Sequence, residues 1–170
     1  MAVSELRSLE EPYLSFKLHD NIYIFLILCN RNTYIFSPDD NRWSSGPQMN
    51  VGRYIPACSL IPSSGSSSKL LVIAAGGSGL SSTEILDGNK WRFGPAMNHN
   101  VFNSTLLMHP KGGVILVAGA VDGEYSFSNL IFRLRHAGPN AQWEQLTKSL
   151  QYPKLFATAF LVPAEISNCT

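Results

Sequence analysis

LLVIAAGGSGLSSTEILDGNKWRFGPAM, residues 70–97, contains an apolar run, a pair of glycines, a second short apolar run and a tryptophan ahead of Gly-Pro-x-Met. The Trp-x-x-Gly-Pro-x-Met pattern starts at Trp43 and again at Trp91, and a third tryptophan, Trp143, follows at a similar interval. A fixed period of about fifty residues is typical of chains built from an array of similar units. The sequence therefore predicts a repeat architecture.

The segments between the tryptophans support the same period. In every unit a proline follows the methionine of the pattern, or the leucine that replaces it, at the same distance along the chain. The three pairs are Met49 and Pro62, Met97 and Pro110, and Leu150 and Pro163. Each unit contains four strand-like runs, of about four to eight residues, separated by turn signals. We interpret each unit as a four-stranded sheet.

This unit resembles the kelch repeat, which forms one four-stranded blade of a β-propeller. Gly76-Gly77 matches the double glycine of that repeat, and Trp91 and Trp143 match its tryptophan. Arg53 matches the basic residue that often opens its innermost strand. The resemblance covers roughly residues 12–163, nearly the whole chain.

The other units depart from the family pattern at several positions. The third unit keeps only Gly119 of the glycine pair, and the first has Cys29 and Asn30 where glycines are expected. Val101 and Lys154 stand in the position of Arg53, so the basic residue is only partly repeated.

The resemblance implies an all-β fold of kelch-type β-propeller blades, each a four-stranded antiparallel sheet. The propeller is incomplete, with about three blades plus one extra strand. The predicted segments are an N-terminal extension at 1–11, propeller blades at about 12–46, 52–94 and 100–146 within 12–163, an extra strand at 153–163, and a C-terminal tail at 164–170.

The blade count leaves the completeness of the protein open. Propellers typically have about four to eight blades, and a stack of three has two open sides, which are a liability in a β protein. We favour a truncated or partial product of a longer propeller protein, which could lack an independent function. The second explanation is the pairing of two copies into a body of six blades. The open sides also predict self-association through the blade edges.

Composition argues against several classes of partner. Charged residues make up 15% of the chain and the net charge is +1, so we expect neither nucleic acid nor a membrane surface as a partner. The longest apolar run, residues 22–29, is too short to span a bilayer. Acidic residues near the N-terminus do not fit a signal peptide. The three unclustered cysteines favour a reducing, cytoplasmic location.

No catalytic, metal or cofactor site is predicted. The four histidines are scattered over different units, and no Cys/His cluster accompanies them. The glycine-rich GGSG segment lacks the Lys-Ser/Thr that follows in a phosphate-binding loop. Some kelch-type propellers are copper oxidases, but no paired Tyr/Cys/His copper site is recognisable. We therefore predict that the protein is not an enzyme. The alternative is a relative of the copper-oxidase or sugar-binding propellers.

Loops that occupy the same place in successive units share one face of a repeat protein. On that face the predicted partner-binding residues are Arg53 and Tyr54, then Ser78, Ser81 and Ser82, and finally Asp122, Glu124 and Tyr125. Arg53 is the foremost candidate, because a guanidinium can form a bidentate contact with an acidic side chain of a partner. The alternative is that Arg53 pairs with a neighbouring carboxylate or backbone carbonyl of its own chain.

The resemblance also implies a function. Intracellular kelch propellers commonly bind a protein or peptide on one rim, often as substrate receptors of ubiquitin ligases or as actin-associated proteins. We expect a non-enzymatic protein-interaction module of this kind, by analogy at the level of the fold.

Overall fold

A computed structural model describes residues 15–18, 22–26, 30–37, 39–64, 66–77, 79–117, 119–122, 127–154 and 159, with side chains for all of these except 15–18, 22–26 and 66–68. Within these ranges the chain forms strands, turns and loops, and no helix occurs. The prediction of an all-β chain with antiparallel sheets is confirmed for this part of the protein. The predicted segments 1–11 and 164–170 lie outside the described residues, as does most of 153–163.

Fourteen strands occur in the described part of the chain. They are β1 (Ser15–Leu18), β2 (Ile22–Leu26), β3 (Thr33–Ser37), β4 (Arg42–Ser45), β5 (Ala57–Ser63), β6 (Ser66–Ala75), β7 (Thr83–Asp87), β8 (Lys90–Phe93), β9 (Val101–Phe102), β10 (Thr105–Met108), β11 (Val114–Val117), β12 (Ala120–Val121), β13 (Ile131–Leu134) and β14 (Glu144–Gln145).

Twelve of these strands form three antiparallel four-stranded sheets, in the order β1-β2-β3-β4 (sheet 1), β5-β6-β7-β8 (sheet 2) and β10-β11-β13-β14 (sheet 3). The remaining two strands, β9 and β12, pair with each other. Neighbouring strands of a sheet are also consecutive in the chain, except that β12 lies between β11 and β13 in the sequence. Antiparallel strands can be joined by short turns, which allows this order.

The three sheets share one pattern of backbone hydrogen bonds at the end where β3, β7 and β13 begin. An N–H after the last strand of each sheet donates to the start of its third strand: Gly46 to Thr33 at 2.8 Å, Gly94 to Thr83 at 2.9 Å, and Leu146 to Ile131 at 2.8 Å. A second set, each at 2.8 Å, joins Met49 to Arg31, Met97 to Ser81, and Leu150 to Asn129. The repeat is therefore present in the backbone, including its third copy, where leucines replace the Gly-Pro-x-Met residues.

A proline carbonyl joins each sheet to the next. Pro47 accepts hydrogen bonds from Thr33 Oγ1 of sheet 1 at 2.7 Å and from Trp91 Nε1 of sheet 2 at 3.0 Å. Pro95 accepts from Thr83 Oγ1 at 2.8 Å and from Trp143 Nε1 of sheet 3 at 3.1 Å. Both indole rings are buried. A buried indole N–H needs an acceptor, and in both cases the preceding sheet supplies it.

Successive side chains of a strand point to opposite faces of the sheet. Sheet 2 therefore packs against sheet 1 with one face and against sheet 3 with the other. The face with Cys58, Val72, Leu86 and Trp91 packs with Met49, and Ile35 of sheet 1 lies against this cluster. The opposite face forms one core with sheet 3, whose buried members include Ile61, Ile73, Ile85, Leu106, Leu116, Phe132 and Leu134. Burying a side chain of this size contributes about 1.5–3 kcal/mol, so these two interfaces hold the stack together.

The glycine pair allows a close approach between the end of β6 and strand β9. Gly76 has a φ of 66° and Gly77 a φ of 110°, which side-chain-bearing residues rarely adopt. The N–H of Gly77 donates to the carbonyl of Val101 at 2.8 Å. A Cβ at Gly76 would overlap that same carbonyl oxygen. The pair is therefore required both for its backbone conformation and for space.

Ile55 also has a positive φ, 51°, and Asn103 repeats this conformation in the next unit with a φ of 57°. Asparagine tolerates the left-handed region, whereas a β-branched side chain is strained there. We expect Ile55→Asn to raise the free energy of unfolding by about 0.5–1 kcal/mol, measured by urea denaturation. The matched control, Asn103→Ile, should lower it by a similar amount. A loss of stability in Ile55→Asn would mean that the burial of Ile55 outweighs its strain.

Candidate partner-binding face

The loops between the sheets interlock at one end of the molecule, which we call the loop end and define as residues 53–56, 76–77, 79–82, 97–104 and 119–122. The N–H of Val101 donates to the carbonyl of Leu80 at 3.2 Å, and the N–H of Asn103 donates to that of Ile55 at 3.2 Å. The N–H of Asp122 donates to the carbonyl of Asn100 at 2.9 Å. Segments from two successive units thus form one continuous surface, which contains the described members of the predicted face.

Arg53 lies inside this surface and not on it, because only 1% of the residue is exposed. Its Nη1 donates to the carbonyl of Gly76 at 2.5 Å and to that of Ser82 at 2.8 Å. Its Nη2 donates to Ser82 Oγ and to Glu84 Oε1, both at 3.1 Å. The guanidinium therefore binds groups of its own chain, as in the alternative interpretation, and partner contact would require it to be exposed.

Glu84, on β7, is the buried counter-charge of Arg53. Its Oε2 also accepts hydrogen bonds from the backbone N–H and the side-chain Nδ2 of Asn50, both at 2.7 Å. The N–H of Val51 donates to Oε1 at 3.2 Å. Burial lowers the pKa of Arg53, although the nearby carboxylate acts in the opposite direction. Through its hydrogen bonds with Asn50 and Val51, Glu84 fixes the segment that connects sheet 1 to sheet 2.

Tyr54 remains the best-placed contact residue of the predicted set, because it is 48% exposed beside the buried Arg53. Its backbone borders Gly77, so that the ring projects from a closely packed segment. Ser81 and Ser82 are half-buried. Ser82 is engaged with Arg53, and the carbonyl of Ser81 accepts the hydrogen bond of Met97. The two serines therefore mainly hold the loop in place.

Asp122 is exposed and forms a polar cluster with the connection that precedes β9. Its Oδ2 lies 2.6 Å from Nδ1 of His99, and its Oδ1 accepts from the N–H of Asn100 at 3.0 Å. The hydrogen bond with His99 lowers the pKa of Asp122, and the backbone hydrogen bond adds to this effect. The carboxylate is therefore a charged surface group that a cationic side chain of a partner could approach.

Ser78, Glu124 and Tyr125, the other members of the predicted face, lie outside the described residues. Cys29 and Cys169 do as well. Cys58 is buried and free, and burial raises the pKa of its thiol above the usual range, which makes it unreactive.

The described part of the chain contains no group of three or more His, Cys, Asp or Glu side chains arranged to hold a metal ion. In the same part there is also no helix long and apolar enough to cross a membrane.

A cleft of about 490 Å³ lies between sheet 2 and the turn that follows β13. Asp87, Arg92 and the 62%-exposed Phe93 line its sheet 2 side, and Ala137 and Pro139 are on the other. Asp87 forms ion pairs with Lys69 at 2.7 Å and with Arg92 at 3.2 Å. Sequence reasoning did not identify this cleft, since its residues belong to different units and match no motif.

The fold defines the class of protein as an all-β protein in which antiparallel sheets stack through repeated contacts. No protein-family model matches this sequence, and no curated protein matches it either. Among solved structures the chain is similar to a fungal alcohol oxidase of the AA5 family, described in complex with copper. The similarity has a TM-score of 0.50, 14% sequence identity, and covers 72% of this chain. The chain spans 30% of the oxidase, and at this identity the likeness concerns the fold alone.

Proposed function

We propose that the protein is a segment of a kelch-type β-propeller, of about three blades, that acts as a non-enzymatic protein-interaction module. The observation that carries the proposal is the loop end, where segments of successive sheets interlock around the exposed Tyr54. Loops held on a strand scaffold are a common location for binding residues. An exposed tyrosine surrounded by closely packed backbone fits the centre of a protein interface.

The partner is a protein or peptide that approaches the loop end. Tyr54 supplies apolar contact area with a hydroxyl, a combination that interfaces favour. Asp122 offers a carboxylate at the same loop end, so a partner that presents both an apolar and a basic side chain matches this surface. By the resemblance, the finer proposal is a substrate-recognition part of a ubiquitin-ligase adaptor or an actin-associated protein in the cytoplasm.

The test is capture of a partner from cell lysate by the purified protein at near-physiological salt, followed by mass spectrometry. Wild type should retain a specific protein, and Tyr54→Ser should lose it. The matched control is Met108→Ser, which removes an exposed apolar side chain at the far end of β10 and should retain the partner. Retention of nothing by wild type, or equal retention by Tyr54→Ser, would contradict the proposal.

The alternative function is that of a copper-oxidase or sugar-binding propeller. The described residues contain no group of three or more His, Cys, Asp or Glu side chains arranged to hold a metal ion, and we derive no reaction through copper. Elemental analysis of the purified protein separates the two functions. Stoichiometric copper would reverse our preference.

A further inference from the structure

Among the described residues, sheets 1 and 3 each have one face that no neighbouring sheet covers. On sheet 3, alternation places Leu107, Ile115, Val117, Ile131 and Arg133 opposite the side chains buried against sheet 2. We call these five residues the outer face of sheet 3. All five residues are half-buried, whereas the side chains of sheet 3 that pack against sheet 2 are buried. Four are aliphatic and lie at adjacent positions in the strand register, so they form a continuous apolar patch.

The equivalent residues of sheet 2 show what this patch is suited to contact. Ile115 and Arg133 are a cross-strand pair on β11 and β13, as Ile73 and Ile85 are on β6 and β7. Ile73 and Ile85 are buried in the core formed with sheet 3. The outer face of sheet 3 therefore occupies the same place in its sheet as a face of sheet 2 that the next sheet covers.

Sheet 1 has the complementary face. Ile35 points toward sheet 2, so Tyr34 and Phe36 lie on the other side, and Trp43 is paired with Phe36 across the strands. We call Tyr34, Phe36 and Trp43 the outer face of sheet 1. The rings of Phe36 and Trp43 are 5.2 Å apart, and all three residues are half-buried.

In sheet 2 the corresponding pair is Leu86 and Trp91, which is buried on the side of sheet 1. The outer faces of sheets 1 and 3 are thus the two halves of the interface that the chain already forms twice.

Arg133 provides an independent observation. It occupies the place of Ile85, and its Nε is buried without an acceptor among the described residues. A buried donor without an acceptor is unfavourable, and a further contact on this face can supply the acceptor.

We propose that two copies of this chain associate head to tail, with the outer face of sheet 3 of one copy covering the outer face of sheet 1 of the other. Such an interface is heterologous, because the two surfaces differ. The aliphatic patch would pack on the aromatic one, as the aliphatic face of sheet 2 packs on Phe132 and Trp143 of sheet 3. The proposal does not involve the loop end, so it is independent of partner capture through Tyr54.

Sedimentation velocity over a range of concentrations tests this proposal with two charge variants. Ile115→Asp places a carboxylate on the outer face of sheet 3, and Phe36→Asp places one on the outer face of sheet 1. Burying an unpaired carboxylate is costly, so each variant alone should raise the dissociation constant by about a hundredfold or more. Phe93→Asp, on the exposed edge of sheet 2, is the control and should associate like wild type.

Mixing the two variants distinguishes head-to-tail association from other modes. The mixture still contains one intact face of each kind, so an equimolar mixture should form a heterodimer that neither variant forms alone. Circular dichroism and cooperative unfolding verify that each variant is folded. Val117→Asp and Tyr34→Asp replace any variant that is not. A wild type that is monomeric at all concentrations, a single variant that associates like wild type, or a mixture that stays monomeric would each overturn the proposal.

Discussion

Replacing Arg53 by alanine is expected to lower the free energy of unfolding by about 3–5 kcal/mol, the usual cost of breaking a buried ion pair. The substitution leaves the carboxylate of Glu84 buried without its counter-charge. It also removes the hydrogen-bond donor of two backbone carbonyls, those of Gly76 and Ser82. Since small domains are stable by only about 5–15 kcal/mol, this loss is a large share of the total. Urea denaturation monitored by tryptophan fluorescence measures it.

The junction between sheet 2 and the following unit provides the control for this prediction. There Val101 occupies the place of Arg53, and Phe132 occupies the place of Glu84, as the shared hydrogen-bond pattern shows. The double variant Arg53→Val/Glu84→Phe should therefore be less destabilised than the sum of the two single variants. Arg135→Ala, which breaks an exposed ion pair with Glu144, should leave stability nearly unchanged.

The Arg53→Ala variant also distinguishes a structural role of Arg53 from a partner-binding role. At a temperature where Arg53→Ala is folded, its affinity for the captured partner should equal that of wild type. A stable Arg53→Ala variant with a weakened partner affinity would show that the guanidinium contacts the partner, contrary to its buried position.

Gly76→Ala should also destabilise the protein strongly, by about 2–5 kcal/mol. Two costs add at this position: a φ of 66° for a residue with a side chain, and overlap of the new Cβ with the carbonyl oxygen of Val101. That oxygen accepts the hydrogen bond of Gly77, so it cannot move without breaking the contact between β9 and the segment that follows β6. Thermal and urea unfolding of the variant measure the loss.

Gly79→Ala is the matched control, because Gly79 has a similar φ of 74° and a Cβ there would meet nothing within 4 Å. Only the conformational cost of about 1–2 kcal/mol should remain. Equal losses of stability in the two variants would mean that the close contact between Gly76 and Val101 contributes nothing to stability. Backbone conformation alone would then explain the glycine at position 76.

The sequence predicted the repeat well because the residues that define it have constrained physical roles. Trp91 and Trp143 need a buried apolar site and an acceptor, and both find the carbonyl of a proline one unit earlier. Gly76 and Gly77 need positive φ. The tryptophan contact occurs at both junctions between sheets, so the spacing of the tryptophans reveals the period. The number of blades and the kelch type remain proposals.

The position of Arg53 could not be decided from the sequence. Whether Arg53 is a contact residue or a structural one depends on Glu84. That residue is thirty-one positions away along the chain but is hydrogen-bonded to Arg53 in the fold. Nothing in the local pattern marks that glutamate as its partner. A signal existed in the repeat itself, because Val101 replaces Arg53 in the unit where Phe132 replaces Glu84. Correlated changes of this kind indicate contact, whereas a surface arginine would vary independently.

The affinity of the captured partner for the Tyr54→Ser variant tests the proposed function most directly. Calorimetric titration should show binding to Tyr54→Ser weakened by about tenfold or more, a loss of about 1.4 kcal/mol or greater. The affinity of Met108→Ser should match that of wild type. Unchanged binding to Tyr54→Ser, together with weakened binding to Met108→Ser, would place the partner at the other end of the sheets and contradict a loop-end interaction module.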